Sequence, residues 1–333
     1  MSASINPHPI LEVKNLRTYF DTPRGELRAV DDVSFTVHAG ECLGIIGESG
    51  SGKSVSCLSV LGLIDAPGRI VSGEILFQGR NLRQMSENEL EELRGTGLSV
   101  IFQDSLTSLN PVFTVERQIT DVIRRHRQCS QKEARERACD MLTQVGVPDA
   151  ESRLGQYPFQ LSGGLRQRVM IAMALSCDSR LIIADEPTTA LDVSIQAQIL
   201  DLLQDLKTQL RFALIFVSHD LGVIANLSDK VIIMYAGKAV ETAPTETVFS
   251  FAAHPYTAGL LRSAPSLISD RRTPLKPING MPPDLTRLPP GCPFAPRCGY
   301  RTEECDAAMP ALLAHGPNHM LACYHPLEVE TRD

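Results

Sequence analysis

The chain has 333 residues, 43% of them hydrophobic, with a formal net charge of −7 and an isoelectric point near 5.7. That apolar content excludes a disordered chain, and the length suffices for a full core and about two domains. The acidic balance argues against a partner held mainly by phosphate attraction, and so against nucleic acid.

In chain order, MSASINPHPI has neither a basic start nor an apolar core, so no secretory signal is expected. Apolar runs without alternation follow at 41–46 (ECLGII), 180–185 (RLIIAD), 212–217 (FALIFV) and 230–235 (KVIIMY). Such runs read as buried parallel strands of an α/β domain. Residues 130–146 read as a helix with the capping pair Ser130 and Glu133. Its apolar face carries Ala134, Ala138, Met141, Leu142 and Val145, and Gly146 stops it. Residues 86–165 are expected to form a mostly helical insertion. Thirteen of the 22 prolines lie between Pro255 and Pro326, which disfavours helix interiors and central strands there. A domain boundary is therefore expected near residue 254, with 255–333 as a separate extension. No apolar run has the length to cross a bilayer, VMIAMAL (169–175) being typical of the longest, so a cytosolic location is expected.

GESGSGKS comprises Gly47, Glu48, Ser49, Gly50, Ser51, Gly52, Lys53 and Ser54, directly after the first apolar strand and before an apolar helix at 55–64. Glycines let successive N–H groups curl around phosphate oxygens, and the helix N-terminus favours an anion. In that frame Lys53 reaches the β- and γ-phosphates of a nucleotide and Ser54 binds Mg²⁺. The run RLIIADEP ends a buried strand in Asp185, suited to the Mg²⁺ shell. Glu186 follows, suited to polarising an attacking water. A helix-capping acid pair before Pro187 is the plainer alternative. LSGGLRQR places Ser162, Gly163 and Gly164 at a second helix start, a second anion-binding N-terminus in one chain.

These three motifs, in this order, resemble the nucleotide-binding subunits of ABC transporters over residues 10–255. The resemblance implies a P-loop ABC-type ATPase fold: an α/β RecA-like core, an antiparallel β subdomain, a helical subdomain and a small cysteine-containing extension. It implies that Ser162, Gly163, Gly164 and Gln167 act on ATP held by a partner subunit. Gln103 would sense Mg²⁺ and water, Asp192 would communicate across the dimer, and His219 would contact the γ-phosphate. Phe20 would stack on adenine, with Tyr19 as its rival. Catalysis would then rest on Glu186, His219 and Gln103, and Mg²⁺ on Ser54, Gln103 and Asp185.

FQDSLTSLNPVFTV, DEPTTALDVSIQAQIL, MYAGKAVE and HPYTAGLL narrow the resemblance to ATP-binding subunits of bacterial dipeptide and oligopeptide importers, and VLGLIDAPGRI leans towards the dipeptide members. Ser105 and Leu165 depart from that pattern, with only local effects expected. The expected partners are two membrane permeases, a homologous second ATPase subunit and, through the complex, an extracytoplasmic binding protein. The expected place is the cytoplasmic face of the inner membrane. Import of nickel, glutathione or another small solute is the alternative, and a soluble ABC-type ATPase of DNA repair or translation is the rival from another class. One ATPase domain and an acidic balance weigh against that rival.

Cys292, Cys298, Cys305 and Cys323 follow C-x5-C-x6-C-x17-C in the proline-rich tail. A tail with few apolar residues cannot easily offset its ordering entropy. Disulfides are disfavoured in a reducing cytosol, which points to metal. The C-x₂₋₄-C knuckle of zinc sites is missing, and irregular spacing suits an iron–sulfur cluster better. Zinc and no metal stay open, and His315, His319 and His325 stand nearby. The tail also resembles the extension of the peptide-importer ATPases, so a [4Fe-4S] cluster on the four cysteines is expected.

Overall fold

The computed structural model describes residues 8–189, 191–263 and 277–327. Parts of the expected extension, 264–276 and 328–333, and Ala190 of the DEPTTALD run lie outside the described residues. The strands are β1 (Leu11–Thr22), β2 (Gly25–Val37), β3 (Cys42–Ile46), β4 (Gly68–Phe77), β5 (Arg80–Asn81), β6 (Leu98–Ile101), β7 (Leu181–Asp185), β8 (Ala213–Val217), β9 (Lys230–Tyr235), β10 (Lys238–Pro244), β11 (Leu313–Gly316) and β12 (His319–Leu321). The helices are α1 (Lys53–Leu61), α2 (Glu87–Leu93), α3 (Ser105–Ser108), α4 (Val115–His126), α5 (Gln131–Gln144), α6 (Ala150–Leu154), α7 (Gly163–Leu175), α8 (Val193–Leu210), α9 (Leu221–Leu227), α10 (Thr245–Ser250), α11 (Pro255–Ser263) and α12 (Glu303–Ala307). They fall into two units. One holds Val37–Glu41 and Gln84–Phe216; the other holds Leu11–Thr36, Cys42–Arg83 and the chain from Val217 onward.

In the second unit a four-stranded sheet has the order β2, β1, β4, β5, with β1–β4 and β4–β5 antiparallel. The β1–β4 register shifts between Lys14 and Thr18, and Asn15 there has φ 48°. Opposite it, Gly73 has φ 103°, and a Cβ on it would lie 2.7 Å from the backbone of Asn15 and Leu16. Only glycine fits such a bulge. β3 runs parallel to β9 with Gly44 opposite Val231, and both strands are apolar almost throughout because both faces are covered. β9 turns into antiparallel β10 through Ala236 and Gly237, both at positive φ, the tight turn that matches strand twist. β12 then pairs with β10, and β11 with β12.

Fully buried Glu241 on β10 ties this end together. It accepts the N–H groups of Ala253 (2.9 Å) and His254 (3.0 Å), and its Oε1 lies 2.9 Å from His319 Nε2. Burial pushes its carboxyl up, but those hydrogen bonds outweigh burial and hold it below the usual range.

In the first unit, β6 runs parallel to β7, and the N–H of Ala213 at the start of β8 donates to the Arg180 carbonyl (2.9 Å). The helices α4 to α7 bury Ile119, Ile123, Ala138, Leu142, Leu154 and Val169. α5 starts on the capping box of Ser130 and Glu133, and Gly146 follows it at φ 72°. Arg135 ties three helices at their surface through Glu116 (3.2 Å) and Glu151 (2.7 Å), exposed ion pairs that add little to stability. Among the described residues no helix is long and apolar enough to cross a membrane.

Candidate active site

In the second unit, β3 delivers the chain into the loop 47–52, and α1 begins at Lys53. Gly50 and Gly52 have φ of 76° and 102°. A Cβ on Gly47 would collide with the Met234 carbonyl, and one on Gly52 with the Ala29 carbonyl. The loop is therefore closed against side chains but lined with backbone. Buried Lys53 donates from Nζ to the carbonyls of Gly47 (2.8 Å) and Glu48 (3.0 Å). Ser51 Oγ is buried with no hydrogen-bond partner among the described residues, and α1 has neither a side-chain cap nor an acid in its first turn. An uncapped helix N-terminus, a lysine and an unused hydroxyl suit a polyanion, so a nucleotide triphosphate fits this cradle. Ser54 is exposed on the first turn, where an Mg²⁺ ligand belongs.

The same unit holds the aromatic pair and the histidine. Tyr19 and Phe20 point to opposite faces of β1. Tyr19 is 8% exposed and donates its hydroxyl to Asp31 (2.8 Å); burial and that acceptor push its pKa up to about 12. Phe20 is half-buried, with its ring beside Gly68. His219 is exposed in the turn between β8 and α9, next to Asp220, whose carboxylate caps Gly222 (2.9 Å) and Val223 (3.3 Å).

In the first unit, buried β7 ends at Asp185, and Glu186 follows at φ 47°, a sparsely populated conformation for a non-glycine residue. Gln103 Nε2 donates to Glu186 Oε2 at 3.0 Å. Thr189 Oγ1 donates to the same oxygen at 3.0 Å. Sequence reasoning did not single out Thr189; its signal was a pair of threonines directly after two acids and a proline.

Ser162 caps α7, accepting from the Leu165 N–H at 3.4 Å. Gly163 and Gly164 form its first turn. Both meet the start of α8: a Cβ on Gly163 would lie 3.3 Å from Leu191 Cδ2, and one on Gly164 would lie 2.7 Å from Ile195 Cγ2. The fold thus brings the signature beside exposed Asp192, the N-cap of α8. Gln167 is 2% exposed, and its Nε2 has no hydrogen-bond partner among the described residues.

The four tail cysteines share one cavity wall with His254 and Phe294. The expected [4Fe-4S] cluster on Cys292, Cys298, Cys305 and Cys323 is nevertheless overturned, and zinc with it. Among the described residues no group of three or more His, Cys, Asp or Glu side chains is placed to hold a metal ion. Burial pushes the thiols of Cys292 and Cys298 up, and that of Cys323 to about 11. Other contacts order the tail. The Cys292 N–H donates to the Cys305 carbonyl (2.7 Å), and a Cβ on Gly291 would collide with that carbonyl. Phe294 packs against Tyr235, Tyr256 and His254, at ring separations of 5.3, 5.4 and 5.9 Å.

A family described as "ABC transporter" matches residues 30–189, and one described as "Oligopeptide/dipeptide transporter, C-terminal region" matches residues 240–305. The chain is 48% identical over 330 residues to the oligopeptide transport ATP-binding protein OppD of Salmonella typhimurium, covering 98% of each chain. It is 46% identical over 319 residues to the dipeptide transport ATP-binding protein DppD of Escherichia coli, covering 96% of this chain and 97% of the relative. Among solved structures, the dimeric ATP-binding cassette MJ0796, bound to ADP and phosphate after hydrolysis, aligns with a TM-score of 0.64 at 26% identity, over 71% of this chain and 98% of that one. With the P-loop frame, the strand-end acids and the signature all in place, the chain belongs to the ATP-binding subunits of the oligopeptide and dipeptide ABC transporters.

Proposed function

We propose that this subunit hydrolyses ATP to drive import of dipeptides or oligopeptides through membrane permeases, from the cytoplasmic face of the membrane. The near full-length likeness to peptide-transport subunits, including the C-terminal region, supports the peptide substrate. It equally supports permease partners, a homologous second ATPase subunit and an extracytoplasmic binding protein. We read residues 1–254 as the ATPase domain, with about 86–165 as its mostly helical part, interrupted by β6 (Leu98–Ile101), and 255–333 as the extension.

In this reading, loop 47–53 binds the triphosphate through its N–H groups and Lys53. Ser54, Gln103 and Asp185 would hold Mg²⁺, which neutralises charge developing on the phosphates. Glu186 takes the proton of the attacking water, and Gln103 and Thr189 hold its carboxylate while it does so. The single observation that carries the chemistry is that Gln103–Glu186–Thr189 arrangement at the end of a buried strand. His219 contacts the γ-phosphate and Phe20 stacks on adenine, Tyr19 being committed to Asp31. Ser162, Gly163, Gly164 and Gln167 act on ATP held by the partner subunit, and Asp192 links the two subunits.

Glu186→Gln tests the assignment. Turnover should fall about 10²- to 10⁴-fold while ATP still binds. Turnover within twofold of the unsubstituted chain would remove Glu186 as the base.

A further inference from the structure

Within the second unit, the segment after β10 reaches back to the phosphate loop and grips one residue of it twice. Arg297, whose side chain is 5% exposed, meets the Glu48 carboxylate as a fork: Nη1 to Oε2 at 2.6 Å and Nη2 to Oε1 at 2.9 Å. The guanidinium is itself fixed, donating from Nη1 to Tyr235 Oη (3.2 Å), from Nε to the Asn279 carbonyl (3.0 Å) and from Nη2 to the Ile278 carbonyl (3.4 Å). Tyr256, fully buried, accepts the Glu48 N–H at 2.9 Å. The Glu48 carbonyl in turn accepts from Lys53 Nζ at 3.0 Å. Side chain, N–H and carbonyl of one loop residue are thus all committed, the first two to residues 255–297 and the third to the phosphate-binding lysine.

A partly buried fork of this kind needs both partners and a fixed geometry, which a lysine in place of Arg297 cannot reproduce. A plain reading is that it only fastens the tail to the domain. That reading leaves unexplained why the fastening point lies inside the phosphate loop and why the backbone N–H is gripped as well as the side chain.

We propose that Arg297 and Tyr256 are positioning residues that pre-form loop 47–53 and thereby set the affinity for ATP. A pre-formed loop spends less of its binding energy on ordering itself around the triphosphate. The inference rests on the ATP-site reading above.

The test is an equilibrium titration of the full chain with the fluorescent analogue trinitrophenyl-ATP, on variants shown to be folded at the assay temperature. Arg297→Ala should raise Kd about tenfold, Glu48→Ala about as much, and the double variant no further, because the two act as one unit. Arg297→Lys should recover part of the loss. Coupling in Kd is what a purely structural fastening does not produce. A Kd within twofold of the unsubstituted chain for Arg297→Ala, or additive effects in the double variant, overturns the proposal. Should Arg297→Ala not fold, Tyr256→Phe and Glu48→Gln replace it: a rise in Kd for both supports the proposal, and an unchanged Kd for either overturns it. The Lys53→Ala control separates the two levels. If it binds as tightly as the unsubstituted chain, the ATP site itself is misassigned; if it weakens binding while Arg297→Ala does not, only the positioning role fails.

Discussion

Two glycine-bearing helix starts look alike in the sequence and differ in physical cause. At the start of α1, Gly50 and Gly52 are required by their backbone angles, 76° and 102° in φ, and Gly52 also by the Ala29 carbonyl, which leaves no room for a side chain. At the start of α7, Gly163 and Gly164 have ordinary helical backbone, and within this chain it is the close approach of Leu191 and Ile195 that crowds a side chain there. One helix has no side-chain cap, and the other is capped by Ser162. Within this chain the first start is shaped by its own backbone, while the second is shaped by another helix that comes near.

The largest effect that separates the two is expected from Gly52→Ala. Positive φ and a collision with the Ala29 carbonyl should together cost about 3 kcal/mol of stability, measured by chemical denaturation. A cost below about 1 kcal/mol would erase the contrast, because the site would then tolerate an ordinary residue. Gly164→Ala should cost less, about 1–2 kcal/mol, because the obstacle is a side chain that can move. Adding Ile195→Ala should cancel much of that cost, a coupling that a conformational requirement could not show. The smallest effect is expected from Ser162→Ala, about 1 kcal/mol through the lost cap, read as a shift in melting temperature. No shift would mean that the second start, like the first, does not depend on its cap.

The cysteine tail teaches a related lesson. Its spacing invites a metal, yet Phe294 among Tyr235, Tyr256 and His254, together with the Arg297 fork, orders the segment without one. A spacing pattern carries no information about where the intervening residues pack. The phosphate loop was readable because its neighbours in the chain, a buried strand and an apolar helix, are also its neighbours in space.

Strands 42–46, 181–185, 213–217 and 230–235, the capped helix 131–144 and the phosphate loop were legible because each depends on local pattern: uninterrupted apolar runs, a capping box, glycines between strand and helix. The tertiary structure alone decided what rests on distant residues meeting. It brought Thr189 and Gln103 onto one oxygen of Glu186, turned Tyr19 inward to Asp31, and carried Arg297 across 249 positions of sequence to Glu48. Residue type and short-range spacing report the conformation a segment prefers; which side chains share a site depends on how the segments pack.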